Sequence, residues 1–228
     1  MTEPPDEEPP VAHPRRPELV RRFSPAEVTL HWLLAADIAV LTLTGLGLYL
    51  GPGSNPVLGH RELVRSLHID AAVFLILLPI LTAAASPGTL GRLWRQAEWF
   101  DADDWRWLRR VVIPPFLRAR WPLPAQGKLN AGQKLNTLIV LAALVGFTVT
   151  GVLMYIGGKL PPSLSDAADT WHIWLMFIGA PLLAGHIALA VLLPSTRGAL
   201  RGALTGYVLR SYARRRHARW AATEPDPG

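Results

Sequence analysis

Four of the seven histidines in this chain, His31, His68, His172 and His186, fall within long apolar runs or at their lips. Ionisable side chains are rare and functional in such places. A single imidazole there can simply bridge two helices by a hydrogen bond, but four call for a joint explanation. His172 and His186 stand fourteen positions apart. On one helix that spacing leaves them within about 40° of a common face and about 21 Å apart along the axis. One helix thus offers two imidazoles at opposite ends of a bilayer. His68 opens an apolar run at the depth of His172, and His31 lies near the start of another at the depth of His186. Two imidazoles at one depth on two helices can clamp a haem iron between them with no further side-chain ligand. Zinc or copper would call for a third or fourth ligand at each depth. Asp70 stands near His68, but nothing comparable stands beside His31 or His186.

Small residues occur where the rings would need room. Fourteen positions after His31 comes Gly45, and fourteen after His68 comes Thr82, so each helix is slim at the depth of the site it does not ligate. Ordinary helix packing in membranes uses small residues in the same way. The chain has no cysteine, which excludes disulfides, thiolate-held zinc, iron–sulfur clusters and covalently attached c-type haem.

The elements that must carry these histidines are four runs of about the length a bilayer requires, over roughly residues 28–50, 67–85, 135–156 and 171–193. In lipid such runs must be helical, because hydrocarbon offers no partner to the backbone. Pro79 and Pro181 are expected to kink the second and fourth helices without ending them. Half of the 228 residues are hydrophobic and 18% are charged, against about 25% charged in soluble proteins. The expected fold is an all-α integral membrane bundle of four helices enclosing two b-type haems, with a long loop between helices two and three. Of the 23 lysines and arginines, three lie in the two short loops and the rest in the termini and the long loop. The positive-inside rule therefore makes both termini and the long loop cytoplasmic, in a multi-pass protein of the cell membrane. His68 and His172 become the outer pair, and His31 and His186 the inner pair.

Residues 1–20, rich in Pro and acidic residues, read as a disordered tail. Residues 21–207 form the membrane domain and 208–228 a basic cytoplasmic tail suited to anionic lipid or a cytoplasmic neighbour. Arg21-Arg22-Phe23 matches a twin-arginine export signal by chance, since Pro25, Glu27 and His31 follow it and the apolar run is long enough to remain as a span. The long loop places Trp94, Trp99, Trp105, Trp107 and Trp121 among arginines, as in short amphipathic pieces at the headgroup level. Basic character beside a membrane argues against nucleic acid as a partner. His13, His60 and His217 are expected to be solvated. Asp37, inside the first span, is read as a buried protonated carboxyl, with proton relay or pairing across helices as alternatives. Arg61 and Arg65 suit either haem propionates or an ordinary flank.

The chain resembles the di-haem cytochrome b (gamma) subunit of membrane-bound formate dehydrogenases, within the wider family of b-type cytochromes of nickel–iron hydrogenases and respiratory molybdoenzymes. The resemblance runs from about Arg22 to Tyr207. It is carried by Arg22-Phe23-Ser24, His31-Trp32, Thr44-Gly45-Leu46, His68, the stretch Gly127-Lys128-Leu129-Asn130-Ala131-Gly132-Gln133-Lys134-Leu135, Thr150-Gly151, and the His172/His186 pair. Asn130-Ala131-Gly132-Gln133-Lys134 is its most specific part and resembles the formate dehydrogenase type more than the hydrogenase type. The resemblance implies an outer haem on His68 and His172, an inner haem on His31 and His186, and a menaquinone site around Asn130, Gly132, Gln133 and His186. Amide donors on quinone oxygens stabilise charge as it develops, and Gly132 would let a ring approach the backbone. From the residues alone, the favoured reading is a helix start, with Asn130 as its cap and Lys134 at the interface; the resemblance reverses that preference.

The resulting expectation is a membrane electron-transfer subunit, not catalytic toward the primary substrate, that carries electrons from an extracytoplasmic dehydrogenase to menaquinone through two haems b. The resemblance implies an iron–sulfur subunit and a molybdopterin catalytic subunit as partners. The alternatives are the cytochrome subunit of a nickel–iron hydrogenase or another molybdoenzyme, or a haem-free membrane anchor or transporter. Against the transporter, the histidines avoid the midplane, where transporter sites lie.

Overall fold

The computed structural model describes residues 18–51, 60–96, 100–117 and 120–223. Four helices are long and apolar enough to cross a membrane: α1 (Pro25–Leu50), α2 (Arg61–Ala85), α5 (Ala131–Tyr155) and α6 (Pro162–Leu192). The chain is an all-α, four-helix membrane bundle with small additions. Helices α3 (Thr89–Gln96) and α4 (Ala102–Val111) lie between α2 and α5, and α7 (Arg197–Thr205), α8 (Arg210–Arg216) and α9 (Ala218–Ala221) follow α6. Most side chains on the spans point outward, with Leu43 64% and Ile80 60% exposed. Only hydrocarbon can cover a surface that apolar.

Each spanning helix starts before its apolar run, and at α1 and α5 polar residues cap it. Ser24 Oγ accepts from Glu27 N–H while the Glu27 carboxylate accepts from Ser24 N–H at 2.6 Å, and Pro25 opens the first turn. Asn130 and Gln133 form the same reciprocal box at the start of α5. Such boxes satisfy orphan N–H groups that hydrophobicity alone does not register. Helices α2 and α6 run through Pro79 and Pro181, as expected.

The spans pack as two hairpins, α1 with α2 and α5 with α6. Both chain flanks meet at one end of the bundle, here called the capped end. There β1 (Leu19–Arg21) pairs antiparallel with β2 (Tyr207–Leu209), Leu19 opposite Leu209 and Arg21 opposite Tyr207. Gly206, at φ 78°, ends α7 and turns the chain into β2; its carbonyl accepts from the N–H groups of Arg22 and Phe23 at 2.7 and 3.0 Å. A Cβ at Gly206 would lie 2.6 Å from the Phe23 carbonyl oxygen, so no other residue fits this turn. Val20, Val208, Ala213 and Trp220 form a small apolar core under the ribbon.

The boundaries expected at residues 20 and 207 each fall inside a paired strand. Residues 208–223 are a folded part of the cap, and His217, expected to be solvated, has no exposed surface. The local sequence reads as a basic tail, yet Trp220 and Ala213 give it an apolar face and β1 gives β2 a partner. Residues 1–17 of the expected tail, Trp99 and 224–228 lie outside the described residues.

Candidate functional site

At the end opposite the cap, His68 on α2 and His172 on α6 face each other with ring centroids 6.3 Å apart and planes inclined at 75°. A metal bonded to one nitrogen of each of two opposed imidazoles, at about 2.0–2.1 Å per bond, separates the ring centroids by roughly 6 Å. The spacing fits one metal-centred ring held between two axial ligands. Among the described residues no group of three or more His, Cys, Asp or Glu side chains is placed to hold a metal ion. Asp70 is exposed and does not complete such a group. The donor set suits an iron that already carries four ligands from its macrocycle.

Each of these rings has a second partner. Thr44 Oγ1 lies 2.8 Å from His68 Nδ1, and Thr150 Oγ1 lies 2.8 Å from His172 Nδ1. In both cases the threonine sits late in the first helix of a hairpin, the histidine early in the second, and a glycine follows the threonine. A Cβ at Gly45 would come 3.3 Å from His68 Cε1, and one at Gly151 would come 3.5 Å from His172 Cε1. Gly45 is thus the small residue expected at this depth, and what it makes room for is an imidazole. The recurrence of Thr-Gly ahead of a histidine, at separations of 24 and 22 residues, is visible in the sequence once its purpose is known. Phe147 meets the edge of His172 at 5.1 Å between centroids.

His31 in α1 and His186 in α6 occupy the capped end and lie within electrostatic reach of each other. Both are exposed on the bundle, and His31 packs edge-on against Trp32, whose Nε1 donates to the Ala203 carbonyl of α7 at 2.9 Å. Neither ring nitrogen of either histidine makes a hydrogen bond with the described residues. Asp37, between the two depths, is 7% exposed and its Oδ2 has no hydrogen-bond partner among the described residues. Arg61 donates to the Leu48 carbonyl at the end of α1, the ordinary flank role.

The stretch 126–134 lies at the capped end, and here three distant segments converge. Arg22, 2% exposed, donates to the Lys128 carbonyl at 2.6 Å and to Gln133 Oε1 at 3.0 Å. Burial pushes its guanidinium down to about 10, so it stays charged. From the long loop, Asp104 pairs with Lys134 at 2.8 Å, both side chains essentially buried. The Trp107 indole lies against Gly132, where a Cβ would meet it at 3.3 Å. From the C-terminal segment, His217 Nδ1 lies 2.9 Å from the Gly127 carbonyl, and Arg219 pairs with Asp101 at 2.7 Å. Desolvation, with Arg22 nearby, holds His217 down at about 3, so the ring is neutral and Nδ1 carries the proton that it donates to Gly127. The Asp104 backbone N–H, with Arg219, holds the Asp101 carboxyl below its ordinary range.

The candidate quinone contacts sit in this clamp. Asn130 Oδ1 accepts from Gln133 N–H at 2.9 Å, and Gln133 Oε1 accepts from Asn130 N–H at 3.1 Å and from Arg22. Capping is therefore a real role of both residues. It consumes only their amide oxygens, while the Nδ2 and Nε2 groups, the donors a quinone oxygen needs, bond nothing among the described residues. The ring that approaches Gly132 is that of Trp107. Lys134, expected at the interface, is 1% exposed and ion-paired. Arg22, Asp104, Trp107 and His217 carried no sequence signal of these roles, because their partners lie far along the chain, from 25 residues for Trp107 and Gly132 to 111 for Arg22 and Gln133.

A model of the prokaryotic cytochrome b561 family matches residues 22–206. The chain is also 24% identical over 212 residues to the formate dehydrogenase, cytochrome b556 subunit, of Haemophilus influenzae, an alignment covering 90% of this chain and 83% of that protein.

Proposed function

The chain belongs to the prokaryotic cytochrome b561 family and is a membrane b-type cytochrome of electron transfer, and from that premise we propose that it links an extracytoplasmic dehydrogenase of the formate dehydrogenase type to menaquinone. The observation that carries this reading is the His68/His172 pair, at the spacing of two axial ligands with both Nδ1 atoms already engaged. In this reading His68 and His172 hold an outer haem b, and His31 and His186 an inner one. Bound haem supplies a one-electron couple on each side of the bilayer. The name of the Haemophilus relative supports a dehydrogenase partner, and the resemblance in sequence implies iron–sulfur and molybdopterin subunits as its redox centres. The distribution of lysine and arginine supports a cytoplasmic cap.

The chain's own residues do the positioning. The cap fixes the loop before α5 at the same end as His31 and His186, and the Asn130 and Gln133 amides offer a quinone oxygen the donors that the helix cap leaves over. Gly132 seats Trp107, so its part in the quinone site is to set the wall beside those donors. With the cap on the cytoplasmic side, protons reach the quinone from water at that surface.

A reduced-minus-oxidised spectrum of the purified protein should show b-type haem, with two equivalents per chain; no haem absorption would end the reading. Asn130→Asp isolates the quinone role, because a carboxylate still accepts from Gln133 N–H while the amide donor is lost. Haem content should stay at two equivalents and reoxidation by a menaquinone analogue should slow about tenfold or more, as for loss of one preorganised donor. Unchanged reoxidation at limiting quinone would leave Asn130 as a cap alone.

A further inference from the structure

The outer pair is held by a device that the inner pair lacks. Thr44 Oγ1 lies 2.7 Å from the Val40 carbonyl and 3.3 Å from that of Leu41. Thr150 Oγ1 lies 2.7 Å from the Gly146 carbonyl and 3.3 Å from that of Phe147. A hydroxyl has one proton, and helical threonine gives it to the carbonyl one turn back. Toward the imidazole each oxygen then presents only lone pairs, so the 2.8 Å contact is a bond donated by Nδ1–H. Gly45 and Gly151 clear the space beside the ring that lets the preceding threonine reach it.

The geometry points to Thr44 and Thr150 as positioning residues that fix His68 and His172 in the Nδ1–H tautomer, leaving Nε2 of both bare toward one iron. The inference rests on the outer haem of the preceding reading and adds a tuning role to it. An acceptor on the distal nitrogen raises the basicity of a ligating imidazole and fixes the ring's orientation. A more basic ligand favours the ferric ion over the ferrous one. His31 and His186 have no such acceptor among the described residues, so the outer haem is set lower in potential than the inner one. Electrons entering at the outer end then run downhill to the capped end.

The test is a redox titration of the purified, haem-loaded protein, following each haem by its absorption and low-spin ferric resonance. Thr44→Val and Thr150→Val should each raise the potential of one haem only, with the double variant raising it further, and should weaken its retention about ten- to hundredfold. Thr44→Ser and Thr150→Ser should restore both properties. Valine variants with both haems, both potentials and both resonances unchanged would overturn the inference. If a valine variant loses the outer haem altogether, the serine variant decides: retention supports the hydroxyl, and loss overturns it in favour of packing by the methyl group. Should the wild-type protein bind no haem at this end, the functional reading fails, and the seat is judged separately. Nitrogen-15 spectra of the haem-free protein should then show His68 and His172 protonated on Nδ1, and protonation on Nε2 would overturn it.

Discussion

The two ends of the bundle hold the same kind of residue pair by different means. At the open end, each histidine is seated by a Thr-Gly pair on the helix before it in the chain, and both hairpins repeat the arrangement. Everything needed lies within 24 residues of each ligand. At the capped end, His31 and His186 have no such seat among the described residues, and order comes instead from a polar clamp in which residues 106, 111 and 118 positions apart meet. A redox site that must exchange only electrons can be closed and local. In the proposed reading the capped end must also meet a quinone and protons, which needs polar groups at the membrane surface, recruited from several segments and neutralised against one another.

The sharpest way to break the comparison is to remove one ligand from each end. His172→Ala should abolish the outer haem and spare the inner, and His31→Ala the reverse, each preparation keeping about one equivalent of two as measured by pyridine haemochrome. Two full equivalents in both variants would dissolve the pairing.

Next in size is the buried ion pair of the cap. Lys134→Ala or Asp104→Ala leaves one buried charge without its opposite, a change that costs about 3–5 kcal/mol. Proteolysis of the stretch 126–134 should accelerate, while the spectrum of the outer haem stays as it was. The double replacement Asp104→Leu with Lys134→Met should recover much of that loss, because two desolvated charges are replaced by apolar volume.

Acid should discriminate between the ends more gently. His217 is neutral in the folded cap, with a pKa of about 3, against 6.5 for the free side chain. Its pKa is lowered by folding, so its contribution is fully present above pH 6.5 and is lost as pH falls toward 3. At pH 5 the deficit is roughly 2 kcal/mol. Protection factors of the amides at 126–134, corrected for intrinsic exchange, should therefore fall between pH 7 and pH 5, and His217→Gln should flatten that dependence.

The smallest effect separates the two halves of the open end itself. An added methyl at Gly45 would press His68 Cε1 at 3.3 Å, whereas at Gly151 the corresponding contact is an ordinary 3.5 Å. Gly45→Ala should shift the outer haem's ferric resonance by more than Gly151→Ala does, and equal shifts would mean that the seats are looser than their geometry.

What the sequence by itself determined is whatever depends on short-range periodicity and on the solvent. Four apolar runs had to be helices because lipid satisfies no backbone group, and the spacing of His172 and His186, close to a whole number of helical turns, had to put both on one face. The start of α5 at Asn130 was readable as a cap for the same reason, since its partner Gln133 lies within the first turn. Tertiary structure decided what crosses between segments. Val20 and Val208 become a core only when the flanks meet. His217 changes from a solvated base to a neutral donor because the fold brings it Gly127, 90 residues away in the chain. Gly132 meets the Trp107 ring from the long loop, 25 positions back in the chain. Hydropathy and helical phase are properties of neighbours along the chain, whereas a desolvated charge or a shared proton belongs to whichever residues the fold brings within hydrogen-bonding reach.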